Sequence, residues 1–513
     1  MRFSSTTAAA LAVALSVPVS VTWACTTVAV SKEASSTGVA MLAHSADCFI
    51  CDSRVALVPA RDHNEGDDHK VFGINQPFPR AYNDRAAIYL PPAGKNFTEP
   101  SARIPEVPHT YAMWESNYPL MNEEGLTVGE SSTNSKVPGG FGVDLANPET
   151  GEFGEAKFSI KELIRVGLES FVKAYGVNNV KPSYTSIRLW AIFNYVAPGI
   201  EFNVDPFELP FSVAATKPIT RDDLMAIFRT NYEDTPFDMT QGILAGIYHN
   251  PYRIEGGDGL TQVPGEFARG ISIPRTTYTM LGYPDPANPV VFYGTDQPSS
   301  SVFVPFLAKT LKEASADDLE GSKKLYSSYY QEGNRADFST SRDSAWWAFD
   351  FVSNWMNMNY QNMSQQYVQP AIAEWQPQML AAADSANTNE TKDAQDAVVK
   401  AWWDLSDKLV VRYNDGYYSF PESDPEKVFY MGYPADYLAQ IGFNKDYIYP
   451  KYVQAAGTPV HAADTIIERV GMSYWSVAVA VVVALVVGVL AGRLSSKKQR
   501  VADTQKALLA SEH

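Results

Sequence analysis

The sequence has few of the residues on which several kinds of function depend. Its 513 residues include three cysteines and seven histidines, and 58 acidic residues outnumber 41 basic ones, which leaves a formal net charge of −17. Such a charge repels phosphate and argues against nucleic acid as a partner. Without a second cysteine pair or a histidine cluster, a zinc site is not expected, and we predict neither a metal nor a cofactor.

What is present is an ordinary globular composition. Hydrophobic residues make up 45% of the chain and charged residues 19%, with no internal repeat. This balance excludes a disordered chain, and the length suits an enzyme with one large core. The oligomeric state does not follow from these numbers.

Residues 1–24 have the pattern of a signal peptide. A basic start is followed by an apolar stretch from Ala8 to Val21, and small residues stand at Thr22 and Ala24. This arrangement matches the recognition rule of signal peptidase and predicts cleavage directly before Cys25.

A second apolar run, from Trp475 to Gly492, is about 18 residues long, which is enough to cross a bilayer. Basic residues follow it and favour a cytosolic tail. We therefore expect a single-pass type I membrane protein of the secretory pathway, at the cell surface or in a vacuole or lysosome, that contacts the membrane through this helix. Glycosylation sequons begin at Asn96, Asn362 and Asn389. The predicted segments are a signal peptide 1–24, a hydrolase domain 25–465, a linker 466–473, a transmembrane helix 474–492 and a tail 493–513.

The start of the mature chain predicts a β-hairpin. Thr26–Val30 is rich in β-formers, a polar, turn-rich stretch follows, and Val39–Ala43 is again β-rich. Thr220 and Asp223 form a capping-box pattern, which predicts a helix through Phe228. Further predicted strands are Gly125–Glu130, Thr276–Leu281 and Val290–Tyr293, and further helices are Ser159–Ala174 and much of 341–415.

The three cysteines have different expected roles. Cys48 and Cys51 are close in sequence and predict a disulfide in an oxidising compartment, although a redox site is an alternative. Cys25 is the odd cysteine, which in a secreted protein indicates an intermolecular link or a reactive thiol.

Cleavage before Cys25 would place a thiol and an α-amine on one residue. An α-amine has a pKa of roughly 7.7–8.0, so it can accept the thiol proton near neutral pH. N-terminal threonine nucleophiles are activated in the same way, and no separate histidine relay is needed. A chance N-terminal cysteine and a lipidated one are the alternatives.

Four stretches carry a family resemblance. The chain resembles the N-terminal-nucleophile cysteine dipeptidases of peptidase D-like and secernin-like type, which are related to choloylglycine hydrolase and penicillin V acylase. The resembling stretches are Cys25-Thr26-Thr27-Val28-Ala29-Val30, Asn122-Glu123-Glu124-Gly125-Leu126, Tyr232-Glu233-Asp234-Thr235-Pro236-Phe237-Asp238 and Pro274-Arg275-Thr276-Thr277.

The resemblance implies an α+β fold, an αββα sandwich with the Cys25 strand in a central position. It implies that Asp47 holds the α-amine and that His44 replaces an arginine beside the thiol. His44 is charged mainly below about pH 6.5, whereas arginine is always charged. The strand ending near Ser132 would supply oxyanion donors, and Arg275 would line the cleft.

Three functions remain open at this point. The first is a cysteine dipeptidase that cleaves small peptides through Cys25. The second is an N-acyl amide hydrolase of the same fold. The third is a surface protein that keeps the fold for interaction and has little or no activity, which the histidine at position 44 favours and the cysteine at position 25 opposes.

Overall fold

The computed structural model describes residues 25–48, 51–72, 81–129, 183–254, 267–334, 340–419 and 428–443. The chain divides into two units. The first comprises Met1–Gly256 and Gly265–Tyr437, and it contains the sheets and helices discussed below. Of the second unit, only residues 438–443 are described.

The described strands fall into one large sheet and several small ones. The strands are β1 Thr26–Val30, β2 Met41–Ala46, β3 Ala56–Val58, β4 Arg61–Asp62, β5 Asp68–Val71, β6 Ala102–Pro105, β7 His109–Thr110, β8 Met113–Glu115, β9 Pro119–Asn122, β10 Tyr278–Tyr283, β11 Val290–Thr295, β12 Phe303–Leu307, β13 Tyr413–Asn414, β14 Tyr417–Ser419 and β15 Val428–Tyr430.

The main sheet has five antiparallel strands in the order β1-β2-β10-β11-β12. The predicted hairpin is confirmed, since Thr26 pairs with Ser45 and Val30 with Met41. The predicted strands near 276–281 and 290–293 are also confirmed, as β10 and β11. β10 and β11 are buried along their whole length, which explains their continuous apolar sequences.

The described α-helices lie mainly in the second half of the chain. They are α1 Ser186–Val196, α2 Arg221–Arg229, α3 Ala308–Leu311, α4 Leu319–Ser322, α5 Ala345–Met356, α6 Tyr360–Met363, α7 Gln369–Asp384, α8 Thr388–Arg412 and α9 Ala435–Gln440. The capping box of α2 is confirmed, because the Thr220 side chain accepts from the Asp223 backbone N–H and the Asp223 carboxylate accepts from the Thr220 backbone N–H. The predicted helix at 159–174 lies outside the described residues.

Alternate residues of the main sheet enter two different hydrophobic clusters. Tyr293 packs with Phe349 and Trp402 of helices α5 and α8 in one cluster. Phe292, the neighbour of Tyr293, packs with Phe228 of helix α2 in the other. Because successive side chains of a strand point to opposite faces, helices cover both faces of this sheet.

The predicted αββα sandwich is wrong for the described residues. They form a mixed α/β structure with one five-stranded sheet and four sheets of only two or three strands. The region 50–110 is rich in Pro, Asp, Arg and Asn, which limits its strands to short ladders. The Cys25 strand is an edge strand of the main sheet in the described structure, where a central position was predicted.

The transmembrane part of the fold prediction is likewise not supported. Across the described ranges, every helix is too short or too polar to cross a bilayer. The predicted span 474–492 itself lies outside the described residues.

Candidate active site

Three chain segments meet at one edge of the main sheet. Cys25 directly precedes β1, Asp47 directly follows β2, and Thr276 and Thr277 directly precede β10. The antiparallel register brings these positions together, because Thr26 pairs with Ser45 and Tyr278 pairs with Ala46. The predicted site residues Cys25 and Asp47 therefore lie at the same sheet edge.

Cys25 is buried, with 5% of its surface exposed. Its carbonyl oxygen accepts a hydrogen bond of 2.9 Å from Nη1 of Arg188, which also donates to Oγ1 of Thr26 at 2.7 Å. The backbone N–H of Thr26 donates to Oγ of Ser45 at 3.1 Å. These three bonds fix the backbone on the C-terminal side of Cys25, so the residue is held in one position at the sheet edge.

Asp47 is buried, and each of its carboxylate oxygens accepts one hydrogen bond from a residue later in the chain. Its Oδ2 accepts from Nη2 of Arg269 at 2.6 Å, and its Oδ1 accepts from Oγ1 of Thr276 at 2.7 Å. The side chains of both Asp47 and Arg269 are almost completely inaccessible. A buried carboxylate needs such compensation, and charge-assisted bonds of this kind are strong.

Tyr184 joins three arginines into one cluster. The guanidinium carbons of Arg269 and Arg188 lie 4.9 and 5.7 Å from its ring centroid. Nη2 of the predicted site residue Arg275 donates to the Tyr184 hydroxyl at 2.8 Å. Burial, and next the charge of Arg269, lowers the pKa of Arg188 to about 10, so it stays charged at neutral pH. We call Arg188, Arg269, Arg275 and Tyr184 the arginine cluster.

His44 lies in β2, where it pairs in register with Thr27 and Met280. Its ring packs edge-on against the rings of Tyr118 and Tyr278, with centroids 5.5 and 6.4 Å away. Burial lowers the pKa of His44 to about 4, against an opposing effect of Asp47. His44 is therefore neutral at physiological pH and does not supply the positive charge of the arginine that it replaces. Arg188 brings a permanent charge to Cys25 from helix α1 instead.

The disulfide between Cys48 and Cys51 is confirmed. The carbonyl of Cys48 accepts from the hydroxyl of Thr277, and the carbonyl of Cys51 accepts from Nδ2 of Asn334 at 3.1 Å. The bond from Thr277 thus ties the disulfide segment after Asp47 to the start of β10. Cys25 is the one cysteine outside the disulfide.

Ser132 lies outside the described residues. The segment before it was predicted as a strand and is instead a turn followed by a single bridge between Thr127 and Met121. It crosses the main sheet closely, since a Cβ at Gly282 would overlap the Thr127 side chain and one at Gly129 would lie 3.2 Å from Cβ of His44. The glycines therefore permit this segment to lie on β2 and β10.

The block around Tyr232 and Asp234 supports the arginine cluster. Both residues adopt left-handed backbone angles, with φ of 67° and 60°. The Tyr232 hydroxyl donates to the carbonyl of Arg269 at 2.6 Å. Glu233 accepts from the backbone N–H of Asn231 at 2.8 Å and holds the turn. The motif thus positions the chain that carries Arg269.

The sequence reasoning missed Arg188, Arg269, Tyr184 and Thr276. One signal was available for the first of them: Arg188 stands between Ile187 and Leu189 and is the only charged residue of its helix. A lone cation in such a setting is rarely buried unless it is paired. Arg269 and Thr276 contact Asp47 from more than 200 residues away, and their local sequence carries no comparable signal.

A separate cavity of about 630 Å³ lies beyond this site. Its polar lining includes Asn231, Glu233, Tyr360, and the pair His249–Asp436, whose Nε2 and Oδ2 atoms are 3.2 Å apart. None of the described residues around Cys25 lines it. Within the described ranges, no group of three His, Cys, Asp or Glu side chains could hold a metal ion.

The sheet edge thus combines a buried cysteine, a buried carboxylate and several guanidinium groups, which is a chemistry suited to a thiol hydrolase. Residues 165–371 match the family model of peptidase family C69. This match confirms the resemblance that the motifs indicated and supports a peptidase. The matched range includes Arg188, Arg269 and Arg275, whereas Cys25 and Asp47 precede it. No curated protein matches the chain.

Proposed function

We propose that the protein is a cysteine dipeptidase in which Cys25 attacks the peptide carbonyl and its own α-amine acts as the base. The observation that carries the proposal is the position of Cys25: it stands at the start of β1, buried, beside Asp47 and the arginine cluster. The match of residues 165–371 to peptidase family C69 supports the hydrolysis of peptide bonds.

The mechanism requires removal of residues 1–24, which we propose occurs in the secretory pathway. The α-amine of Cys25 then takes the thiol proton, and the thiolate forms a bond to the scissile carbon. Collapse of the tetrahedral intermediate expels the leaving amine, which receives that proton. Water, deprotonated by the same amine, attacks the thioester. The C–S bond breaks, the Cys25 thiolate takes the proton back from the amine, and the acid product leaves.

Asp47 is proposed to orient the α-amine. Arg269 and Thr276 each occupy one of its oxygens and fix the carboxylate plane. An ionised carboxylate has about four lone-pair sites, so capacity remains for the ammonium. Ser132 keeps its predicted role, as the neighbour of backbone donors to the oxyanion.

The test is the turnover of a dipeptide panel from about pH 4 to 9 by wild type and two variants. Cys25→Ala should abolish hydrolysis, a loss of several orders of magnitude, because the covalent step has no nucleophile. Cys25→Ser should be far weaker than wild type, since a hydroxyl is harder to deprotonate. Thermal unfolding should show that both variants remain folded.

The mature N-terminus must be measured on the same preparation. Intact mass should place it at Cys25. Hydrolysis by a folded Cys25→Ala variant at the wild-type rate, or an active protein that begins at another residue, would contradict the mechanism and favour the surface-protein alternative.

A further inference from the structure

The positive charge of the arginine cluster exceeds what the proposed reaction uses. Arg188 and Arg269 lie over the ring of Tyr184, and Arg275 donates to its hydroxyl. Arg188 links this cluster to Cys25, because it also donates to the Cys25 carbonyl. Arg269 is paired with Asp47 through a bond of 2.6 Å. Among the described residues, no carboxylate lies within salt-bridge distance of Arg188 or Arg275. The cluster therefore has a surplus of positive charge.

Buried like charges repel one another, and the effect is visible here. After burial itself, the charge of Arg269 is the largest cause that lowers the pKa of Arg188. Cations taken out of water are costly unless a counter-charge compensates them. Guanidinium groups collected in this way match the planar, bidentate geometry of a carboxylate. The surplus charge thus indicates an anionic ligand.

Arg275 is the member of the cluster that is open to a ligand. Arg188 and Arg269 are 7% and 3% exposed, whereas Arg275 is only half-buried. Its Nη2 bonds to Tyr184, but its buried Nε has no hydrogen-bond partner among the described residues. Since a guanidinium carries five N–H donors, Arg275 retains enough of them for a carboxylate.

We propose that Arg275, supported by the charges of Arg188 and Arg269, binds the C-terminal carboxylate of the substrate. This inference rests on the proposed function and assigns the residue that recognises the free C-terminus of the substrate. In a dipeptide the carboxylate is one residue from the scissile carbonyl, and one residue spans at most about 3.6 Å. A carboxylate site adjoining Cys25 therefore selects substrates by length as well as by charge.

The experiment compares a dipeptide with its C-terminal amide in wild type, Arg275→Gln and Arg342→Gln. Wild type should prefer the acid by about 10- to 100-fold in kcat/KM, mostly through KM, because charged hydrogen bonds are lost with the amide. Arg275→Gln should lower kcat/KM for the acid far more than for the amide, and so remove that preference. Arg342 is exposed and pairs with Asp407, so Arg342→Gln controls for lost charge and should behave as wild type.

A binding measurement makes the outcome independent of turnover. Calorimetry with Cys25→Ala should show the acid binding more tightly than the amide, and Arg275→Gln in that background should abolish the difference. Equal binding of acid and amide, or an equal loss for both with Arg275→Gln, would overturn the carboxylate site. Hydrolysis that persists in Cys25→Ala would instead overturn the proposed function, while the binding difference still decides this inference.

Discussion

Two groups of acidic side chains lie at the same edge of the main sheet: Asp47 with Arg269 and Thr276, here called the Asp47 region, and Asp296 with Asp350, here called the acid pair. Among the described residues, only the Asp47 region contains a cation. Asp296 follows β11 directly and its backbone N–H donates to the carbonyl of Thr277, whose own N–H donates to the carbonyl of Ala46. The two regions are thus linked through the chain before β10.

The two regions accommodate buried carboxyl groups in opposite ways. The negative charge of the Asp47 carboxylate is compensated by the guanidinium group of Arg269. Burial, then repulsion from Asp350, raises the pKa of Asp296 well above its usual range, and burial raises the pKa of Asp350 to about 7. Asp296 is 1% exposed, and its Oδ2 has no hydrogen-bond partner among the described residues. Without a cation, a buried carboxyl keeps its proton.

Removing the charge of Asp47 should cause the largest loss of stability. Asp47→Asn keeps the shape of the side chain but leaves Arg269 buried beside a neutral amide. Breaking a buried ion pair from one side typically costs about 3–5 kcal/mol, and we expect that loss in the free energy of unfolding at pH 7. Denaturant titration measures it, and the dipeptide assay should show a parallel loss of turnover.

Asp384→Asn is the matched control for Asp47→Asn. Asp384 pairs with Arg221 at 3.0 Å, but its side chain is 60% exposed. Exposed pairs contribute roughly 0–1 kcal/mol, so this variant should unfold almost as wild type does. Equal losses for the two variants would show that the Asp47 pair is no different from a surface pair.

An Asp-to-Asn substitution in the acid pair should raise the free energy of unfolding, whereas Asp47→Asn lowers it. A raised folded-state pKa means that the folded protein holds protons that the unfolded chain releases above about pH 4, so stability falls as pH rises to the folded-state pKa. Asp350→Asn removes this penalty. We expect the free energy of unfolding at pH 8 to rise by about 1–4 kcal/mol, with little change at pH 4.

Denaturant titrations at pH 4, 6 and 8 check this prediction. Asp407→Asn serves as the control, because Asp407 is exposed and pairs with Arg342 on the surface. A gain for Asp350→Asn that does not depend on pH would mean that packing, not protonation, limits this pair. A loss at pH 8 would contradict the comparison directly.

The sequence predicted the parts of this edge that depend on neighbours in the chain. The hairpin of Thr26–Val30 with its partner strand and the capping box of Thr220 arise from local patterns, and both are confirmed. The contacts of Arg188 with Cys25 and of Arg269 with Asp47 join residues 163 and 222 positions apart. Such pairings depend on the register of the folded sheet, which no local pattern contains.

The same limit explains why residues 125–130 were wrongly predicted to form a strand. The alternation there resembles a strand, but Gly125 has a φ of 82° and closes a turn, its N–H donating to the carbonyl of Asn122. Only Thr127 forms a bridge, and the segment lies across β2 and β10 over the small surface of Gly282. Strand propensity describes a side chain on a pleated surface and does not include such close contacts with another sheet.

Substitution of His44 should change stability and activity least of all. His44 lies beside the Asp47 region, but it resembles the acid pair because it is buried and uncharged. With a pKa of about 4, it does not titrate between pH 5 and 8. His44→Phe keeps a ring against Tyr118 and Tyr278, and we expect a stability change below about 1.5 kcal/mol. The pH profile of kcat/KM between 5 and 8 should keep its shape, since we assign that range to the α-amine of Cys25. An apparent pKa near 6 to 7 in wild type that disappears in His44→Phe would show instead that His44 charges beside the thiol.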